Sequence, residues 1–374
     1  MSEYSNEKYT QDKIKAIDAK TEAQKIAFSP LTFQAVRAAL ELGILKVISD
    51  SQEKGITIKE IAKKANISCY GVKVLLEINL SMNIVKVFSK DGDDFFYLGK
   101  TGCFLLDDEM TRVNFNFVND VCYKGAFELT RSIKEGKPLG LEVFGYSDKT
   151  IYEALSTLPE RVKKSWFEFD HFYSDIGFRE ALPVVFKNKP KKIIDIGGNT
   201  AKWAILCCNY NPDVEVIIVD LPGQIEIAEK EIAKNNLSRR IKTYGCNILS
   251  EEAQIPNDAD IIWMSQFLDC FSLNEVTRIM KKTGKASNDT TEIFIFEPFW
   301  DKQKYDAASF SLQATSLYFT CMANGNSKMY NSAEFEKTIK EAGFYITEAL
   351  HNLGSNSYSL LRCRKSSEIP RGFS

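Results

Sequence analysis

The sequence predicts an α/β chain. A Rossmann-like doubly wound sheet with a terminal antiparallel hairpin is preceded by a winged-helix domain that is all-helical apart from its wing. Three observations lead there. From residue 191 short apolar runs alternate with helical segments. The first run, KKIIDI, breaks at Gly197-Gly198 and gives way to the helical stretch TAKWAILCC. Residues 30–100 hold three helical stretches and two short strands. At 374 residues the chain exceeds one ordinary core, which favours more than one domain.

In the first region, PLTFQAVRAALELGILKVI carries apolar residues at helical spacing. Thr57 and Glu60 are spaced as a capping box that opens a second helix. SCYGVKVLLEINLSMN supplies a third, and VKVFSKDGDDFFYL reads as a hairpin around Asp91-Gly92. Three helices and a β-wing make a winged helix. Residues 68–84 would be its DNA-reading helix, yet they contain one base, Lys73, among many Ile, Leu and Val. Phosphate contact needs several. That helix is therefore expected to be buried against something apolar.

Residues 101–190 read as helical. The strands then follow in KKIIDI, VEVIIVDL, IKTYGCNI, ADIIWMSQFL and TEIFIFEPF, with helices between most of them. Runs this short, joined by helices, indicate a parallel sheet covered on both faces. FYITEALHNLGSNSYSLLRCRK closes the chain as two strands around a turn. The expected domains are an N-terminal arm with the winged helix at 1–105, a helical linker and pocket region at 106–190, and the sheet domain at 191–374.

Composition excludes several functions. A net charge of −2 gives no electrostatic reason to expect nucleic acid or an anionic membrane as partner. No apolar stretch approaches the ~20 residues of a membrane helix. The polar start, MSEYSNEKYTQDKIK, lacks the apolar core of a signal peptide. Nine scattered cysteines without a C-x-x-C fit reduced thiols, so a cytoplasmic location is expected. With only His171 and His351, no metal site is expected.

In a doubly wound sheet, ligands bind beyond the carboxyl ends of the strands. Gly197 and Gly198 let a ligand approach the backbone closely. Asp220 ends strand two, placed to accept hydrogen bonds from a ribose diol, and strand three ends at Gly245-Cys246-Asn247, where side chains can meet an adenine. Such an acidic residue serves both NAD and S-adenosyl-L-methionine. The loop lacks the third glycine that a dinucleotide pyrophosphate exploits. The terminal hairpin, by fold analogy, also favours S-adenosyl-L-methionine.

At these residues the chain resembles the small-molecule O-methyltransferases of the acetylserotonin and caffeic-acid type, including their bacterial secondary-metabolism branch. The matching stretches are IIDIGGNTA, VDLPGQIEIA, SQFLDCFS, FEPFWD and NGNSKMYNSAEFEKTIKEAGF, within a likeness running from about Pro30 to Arg364. The resemblance implies a homodimer joined through the winged-helix domain, S-adenosyl-L-methionine as cofactor, and a small aromatic or polyketide-like substrate methylated on a hydroxyl. The expected cofactor-binding residues are Gly197, Gly198, Asp220, Leu221, Asn247, Ser265 and Gln266. Phe169, Tyr173 and Asn324 are the expected substrate-binding residues.

The chain departs from the family's pattern at several of these places. Asn199 and Ala201 replace usual glycines, and Cys246 stands where an Asp usually meets adenine, with Asn247 beside it. The family's catalytic His-Asp-Trp reads Asp269-Cys270-Phe271, one Glu helper is kept as Glu297, and the other becomes Met329. Asp269 and Glu297 are the expected catalytic residues. A phenol near pKa ~10 giving its proton to a carboxylate near ~4 is uphill by ~8 kcal/mol, against ~5 for imidazole. Asp269 therefore needs a raised pKa, from burial or from Glu297 sharing its site. His171 lies two residues from both Phe169 and Tyr173 and is expected to point away from the face they share. Two alternatives stand beside O-methylation: carbon or carboxyl methylation, or another use of the same cofactor, and a non-enzymatic winged-helix metabolite sensor.

Overall fold

The computed structural model describes residues 7–355 and 357–366, and of residues 7, 8 and 173–176 the backbone alone. Two compact units emerge, one reaching Phe115 and one starting at Asn116.

In the first unit, the helices Ser29–Glu41, Ile44–Asp50, Ile58–Ala65 and Cys69–Ser81 enclose a core of Ile44, Leu45, Ile48, Ile61, Val72 and Leu76. The expected capping box forms: Thr57 Oγ1 accepts from the Glu60 N–H, and Glu60 accepts from the Thr57 N–H at 3.0 Å. The wing is β1 (Val85–Lys90) and β2 (Asp93–Leu98), antiparallel. Asp91 and Gly92 between them have φ of 53° and 85°, the left-handed pair that a two-residue hairpin requires. Burial of the helix Cys69–Ser81 is one-sided. Val72 and Leu76 face the core, while Tyr70, Lys73 and Val74 are exposed.

The second unit is built on seven strands: β3 (Lys192–Ile196), β4 (Glu215–Asp220), β5 (Ile241–Gly245), β6 (Ile261–Ser265), β7 (Glu292–Glu297), β8 (Phe344–Leu353) and β9 (Tyr358–Lys365), in spatial order β5-β4-β3-β6-β7-β9-β8. β3 to β7 run parallel, and β9 lies antiparallel to both β7 and β8. Chain order reverses between β3 and β6, the place where such sheets form their ligand crevice.

The helical stretch 106–190 does not form a unit of its own. From residue 116 it packs with the sheet unit, because Phe117, Val121 and Trp166 share one buried cluster with Tyr318, Phe319 and Met322. Residues 106–115 belong to the first unit, where Phe115 stacks on Phe33 with ring centroids 4.4 Å apart.

One ion network ties the sheet's antiparallel edge to its centre. Glu292, at the start of β7 and 5% exposed, accepts from Arg362 at 2.8 Å, Arg364 at 2.7 Å and Asn188 at 3.2 Å. Burial alone would raise its pKa, but the bonds from Arg364 and Arg362 outweigh burial and hold it below the usual value. A depressed carboxylate pKa contributes stability at neutral pH that is lost as pH falls through the folded-state value. Glu292→Gln is expected to cost about 2–3 kcal/mol, less than a fully buried pair because Arg364 is partly exposed. Chemical denaturation should show that deficit at pH 7 and a smaller one near pH 3.

Candidate active site

The turn after β3 is shaped by its backbone. Gly197 has φ 77°, and a Cβ there would lie 2.3 Å from Cδ2 of Phe267. Asn199 and Ala201, which stand where glycines were expected, keep the left-handed conformation at φ 46° and 65°. Asn adopts this conformation readily, whereas Ala201 is strained by roughly 1–2 kcal/mol there. Asp220 braces the turn: Oδ2 accepts from the Asn199 N–H at 2.9 Å and Oδ1 from the Leu221 N–H at 2.7 Å. Burial raises its pKa, and those two bonds oppose the rise.

Beyond the strand ends lies a cavity of ≈ 320 Å³. On one side it meets Gly197, Asn199, Asp220, Leu221, Cys246 and Asn247; on the other, Tyr152, Trp166, Phe169, Asp269, Cys270 and Tyr318. A smaller cavity of ≈ 60 Å³ shares Asp170, Gly197, Asn199 and Gln266 with it and reaches Gly198, His171 and Ser265. Its walls hold six buried polar atoms without a hydrogen-bond partner: Asp195 Oδ2, Asn199 Oδ1, Trp203 Nε1, Trp263 Nε1, Ser265 Oγ and Gln266 Oε1. Buried polar atoms left bare are costly, so such a concentration marks a place suited to a polar ligand or water. Asp195 is pushed up to about 8 by burial first and by Asp220 second.

At the far wall, Asp269 is 3% exposed and faces the larger cavity. Burial raises its pKa to about 6. Glu297 at the end of β7 is 1% exposed and does not line the cavity. Its Oε1 accepts from the backbone N–H of Phe267 at 2.9 Å and of Leu268 at 2.8 Å, holding the 268–270 turn from behind. Burial and the Asp269 charge push it well above the usual range. Glu297 thus lies behind the 268–270 turn instead of in the cavity wall, because the chain after β6 folds back over its carboxylate.

Asn324 is placed by hydrogen bonds of its own. It lines the cavity, but Nδ2 donates to the Cys270 carbonyl while Oδ1 accepts from Ser327 Oγ at 2.9 Å and Ser327 N–H at 3.2 Å. Its amide thereby joins two segments of chain while one Nδ2 hydrogen beyond the bond to Cys270 is left for another partner. Phe169 lies in the cavity wall and stacks on Phe117 with centroids 3.9 Å apart. The side chain of Tyr173 lies outside the described residues. His171 lines only the smaller cavity, and His351 bonds Ser359 Oγ at 2.8 Å. Tyr152, Trp166 and Gln224 also form walls of the larger cavity and were not singled out from sequence. Gln224 follows Asp220 closely enough in VDLPGQ to have been flagged.

Two family models match the chain. Residues 20–95 match a dimerisation2-like domain, and residues 127–345 match the O-methyltransferase domain, which spans more than half of the chain. The chain belongs to the O-methyltransferase family. Among curated relatives, it is 23% identical over 322 residues to an L-tyrosine C(3)-methyltransferase of Streptomyces lavendulae, covering 85% of each chain. Among solved structures, mitomycin 7-O-methyltransferase aligns at 16% identity over 94% of this chain and 98% of its own, with a TM-score of 0.68. Human N-acetylserotonin methyltransferase in complex with S-adenosylmethionine aligns at 16% identity over 96% and 99%, with a TM-score of 0.64. This O-methyltransferase family member is an enzyme with a helical N-terminal domain and an α/β methyltransferase domain. Among its described residues no helix is long and apolar enough to cross a membrane.

Proposed function

We infer that the chain transfers a methyl group from S-adenosyl-L-methionine to the hydroxyl of a small aromatic or polyketide-like molecule, as a homodimer joined through its N-terminal domain. The single observation that carries the reading is one continuous cavity joining the braced glycine turn to a buried carboxylate, Asp269. The residues fit the cofactor. Gly197 lines the cavity with bare backbone, its missing Cβ making room for the Phe267 ring at the turn, Asp220 offers carboxylate oxygens to a ribose diol, and the bare atoms around the smaller cavity suit its amino-acid end. Asn247, exposed at the rim, is the adenine contact in this reading, with Leu221 beside it. The bound sulfonium supplies an electrophilic methyl group.

Asp269 supplies the base. With its pKa raised to about 6, taking a proton from a phenol near ~10 is uphill by ~5 kcal/mol, close to the figure for imidazole. Burial thus gives a carboxylate the basicity that the family draws from histidine. Burial and the Asp269 charge push Glu297 well above the usual range, so the charge of the two carboxyls is favoured on Asp269, which faces the cavity, over the enclosed Glu297. The acceptor O–H gives its proton to Asp269, and S-adenosyl-L-methionine, held by the turn at Gly197 and by Asp220, would supply the methyl group to the oxygen so freed and keep the sulfur–carbon electron pair on its sulfur. Asp269 then releases the proton to solvent. Phe169, Trp166 and Tyr318 hold the ring in line and exclude water.

Carbon methylation is a second reading, supported by the C(3)-methyltransferase relative. A phenolate is nucleophilic at oxygen and at the ortho carbon, so the same base serves both and the ring's orientation decides. Calorimetric titration with S-adenosyl-L-methionine, followed by mass spectrometry of the product from a phenolic panel, tests both readings; absence of cofactor binding at millimolar concentration would remove them. Asp220→Asn is expected to weaken cofactor binding about 100-fold, since hydrogen bonds to a charged group contribute about 1.5–3 kcal/mol each. Unchanged affinity in that titration would detach Asp220 from the ribose.

A further inference from the structure

The walls of the larger cavity carry five carboxylates, Glu153, Asp170, Asp220, Asp269 and Glu275, and no lysine, arginine or histidine among the described residues that line it. The stretch 173–176, Tyr-Ser-Asp-Ile, contains no basic residue either. Three of the five are accounted for. Asp220 braces the glycine turn, Asp170 accepts from the Asn199 amide at 3.0 Å, and Asp269 is the base.

Glu153 and Glu275 remain, on the acceptor side with Tyr152, Cys270 and Asn324. Each closes a capping box at a helix start, which fixes its carboxylate. Glu153 accepts from the Thr150 N–H at 2.8 Å, and Glu275 from the Ser272 N–H at 2.9 Å and Ser272 Oγ at 2.7 Å. Glu275 also accepts from Asn326 Nδ2 at 3.3 Å, across the cavity rim. Its nearest cation, Arg278 at 3.7 Å, is largely exposed and does not line the cavity.

An acceptor with its own carboxylate or phosphate would meet no countercharge among the described lining residues and would sit among like charges, with the repulsion felt chiefly at the partly buried Glu275 and less at the exposed Glu153. A cationic acceptor meets the opposite situation. Clefts lined by one sign of charge concentrate ligands of the other, and Tyr152, Trp166 and Tyr318 add aromatic faces that attract an ammonium.

We propose that the acceptor is an aromatic hydroxyl compound bearing a protonated amine and no free carboxylate or phosphate. This rests on the methyl-transfer reading and narrows it. It also separates the chain from relatives whose named acceptor is a free amino acid, such as L-tyrosine.

Three phenols of one shape test it: tyramine, 4-ethylphenol and 3-(4-hydroxyphenyl)propionate, titrated calorimetrically into the full chain with and without S-adenosylhomocysteine. The amine is expected to bind at least tenfold tighter than the acid, with 4-ethylphenol between them and the gap shrinking as salt is raised. Glu275→Gln keeps the capping box, which accepts Gln as well as Glu, and should narrow the gap several-fold. Equal binding of amine and acid, tighter binding of the acid, or binding of none of the three overturns the proposal. Failure of the methyl-transfer reading shows separately, as absence of S-adenosyl-L-methionine binding in its own titration.

Discussion

Asp269→Asn is expected to lower kcat by about 100-fold to 10,000-fold while leaving cofactor affinity within a few-fold, because a positioned general base contributes about that much. Asn keeps the shape of the side chain and removes its charge together with its capacity to take a proton. The wild-type profile carries the sign of the effect. Asp269 has its pKa raised to about 6 by burial, so kcat/KM should rise with pH through that region and level above it. Stability should move the other way. A carboxyl whose folded pKa lies above its unfolded value contributes most below the unfolded value, and that contribution is lost as pH rises through about 6. Asp269→Asn is therefore expected to melt higher than wild type at pH 8 although it is nearly inactive. Loss of activity joined to loss of stability would instead mark Asp269 as part of the scaffold, and full activity would remove it from the chemistry.

Gly197→Ala is the second large expectation. At φ 77° an alanine is strained by about 1–2 kcal/mol, and its methyl would meet the Phe267 ring at 2.3 Å, an overpacking of about 1–3 kcal/mol. Turning the ring relieves little, because its Cγ is also struck, at 2.8 Å, and the backbone that carries it is held by the bond from Phe267 N–H to Glu297. Roughly 5–15 °C should be lost from Tm, and S-adenosyl-L-methionine should bind at least 100-fold more weakly. Phe267→Ala in the same background should restore part of the affinity, since it removes the atoms the new methyl strikes. If Gly197→Ala binds the cofactor normally, the cradle is elsewhere.

The strands and the glycine turn are legible in the sequence because each leaves a local pattern. KKIIDI and VEVIIVDL are short apolar runs with a carboxylate at their second-to-last position, and Asp91-Gly92 names its own turn. Asp220 is legible by spacing. Glu297 is legible as a strand-end carboxylate but not as one sealed behind the 268–270 turn, since that depends on where the chain after β6 returns. Asn324 hides its role similarly, with partners at 270 and 327 that only the fold brings together. Tyr152 and Trp166 lie on inward helix faces, and a cavity wall and a packed core show the same periodicity. The left-handed Asn199 and Ala201 break the residue preference that would announce them.

The pairing of β7 with β9 bears on how the enzyme is made. Glu297 sits opposite Ser359 in that ladder, so the strand presenting it gains its second neighbour only from the last strand of the sheet. A ribosome delivers the nucleotide-facing half, β3 to β5, more than a hundred residues earlier. Because domains generally fold as units, the sheet unit is expected to complete only after β9 has been made, and a chain cut before Tyr358 should lack the pairing that flanks Glu297.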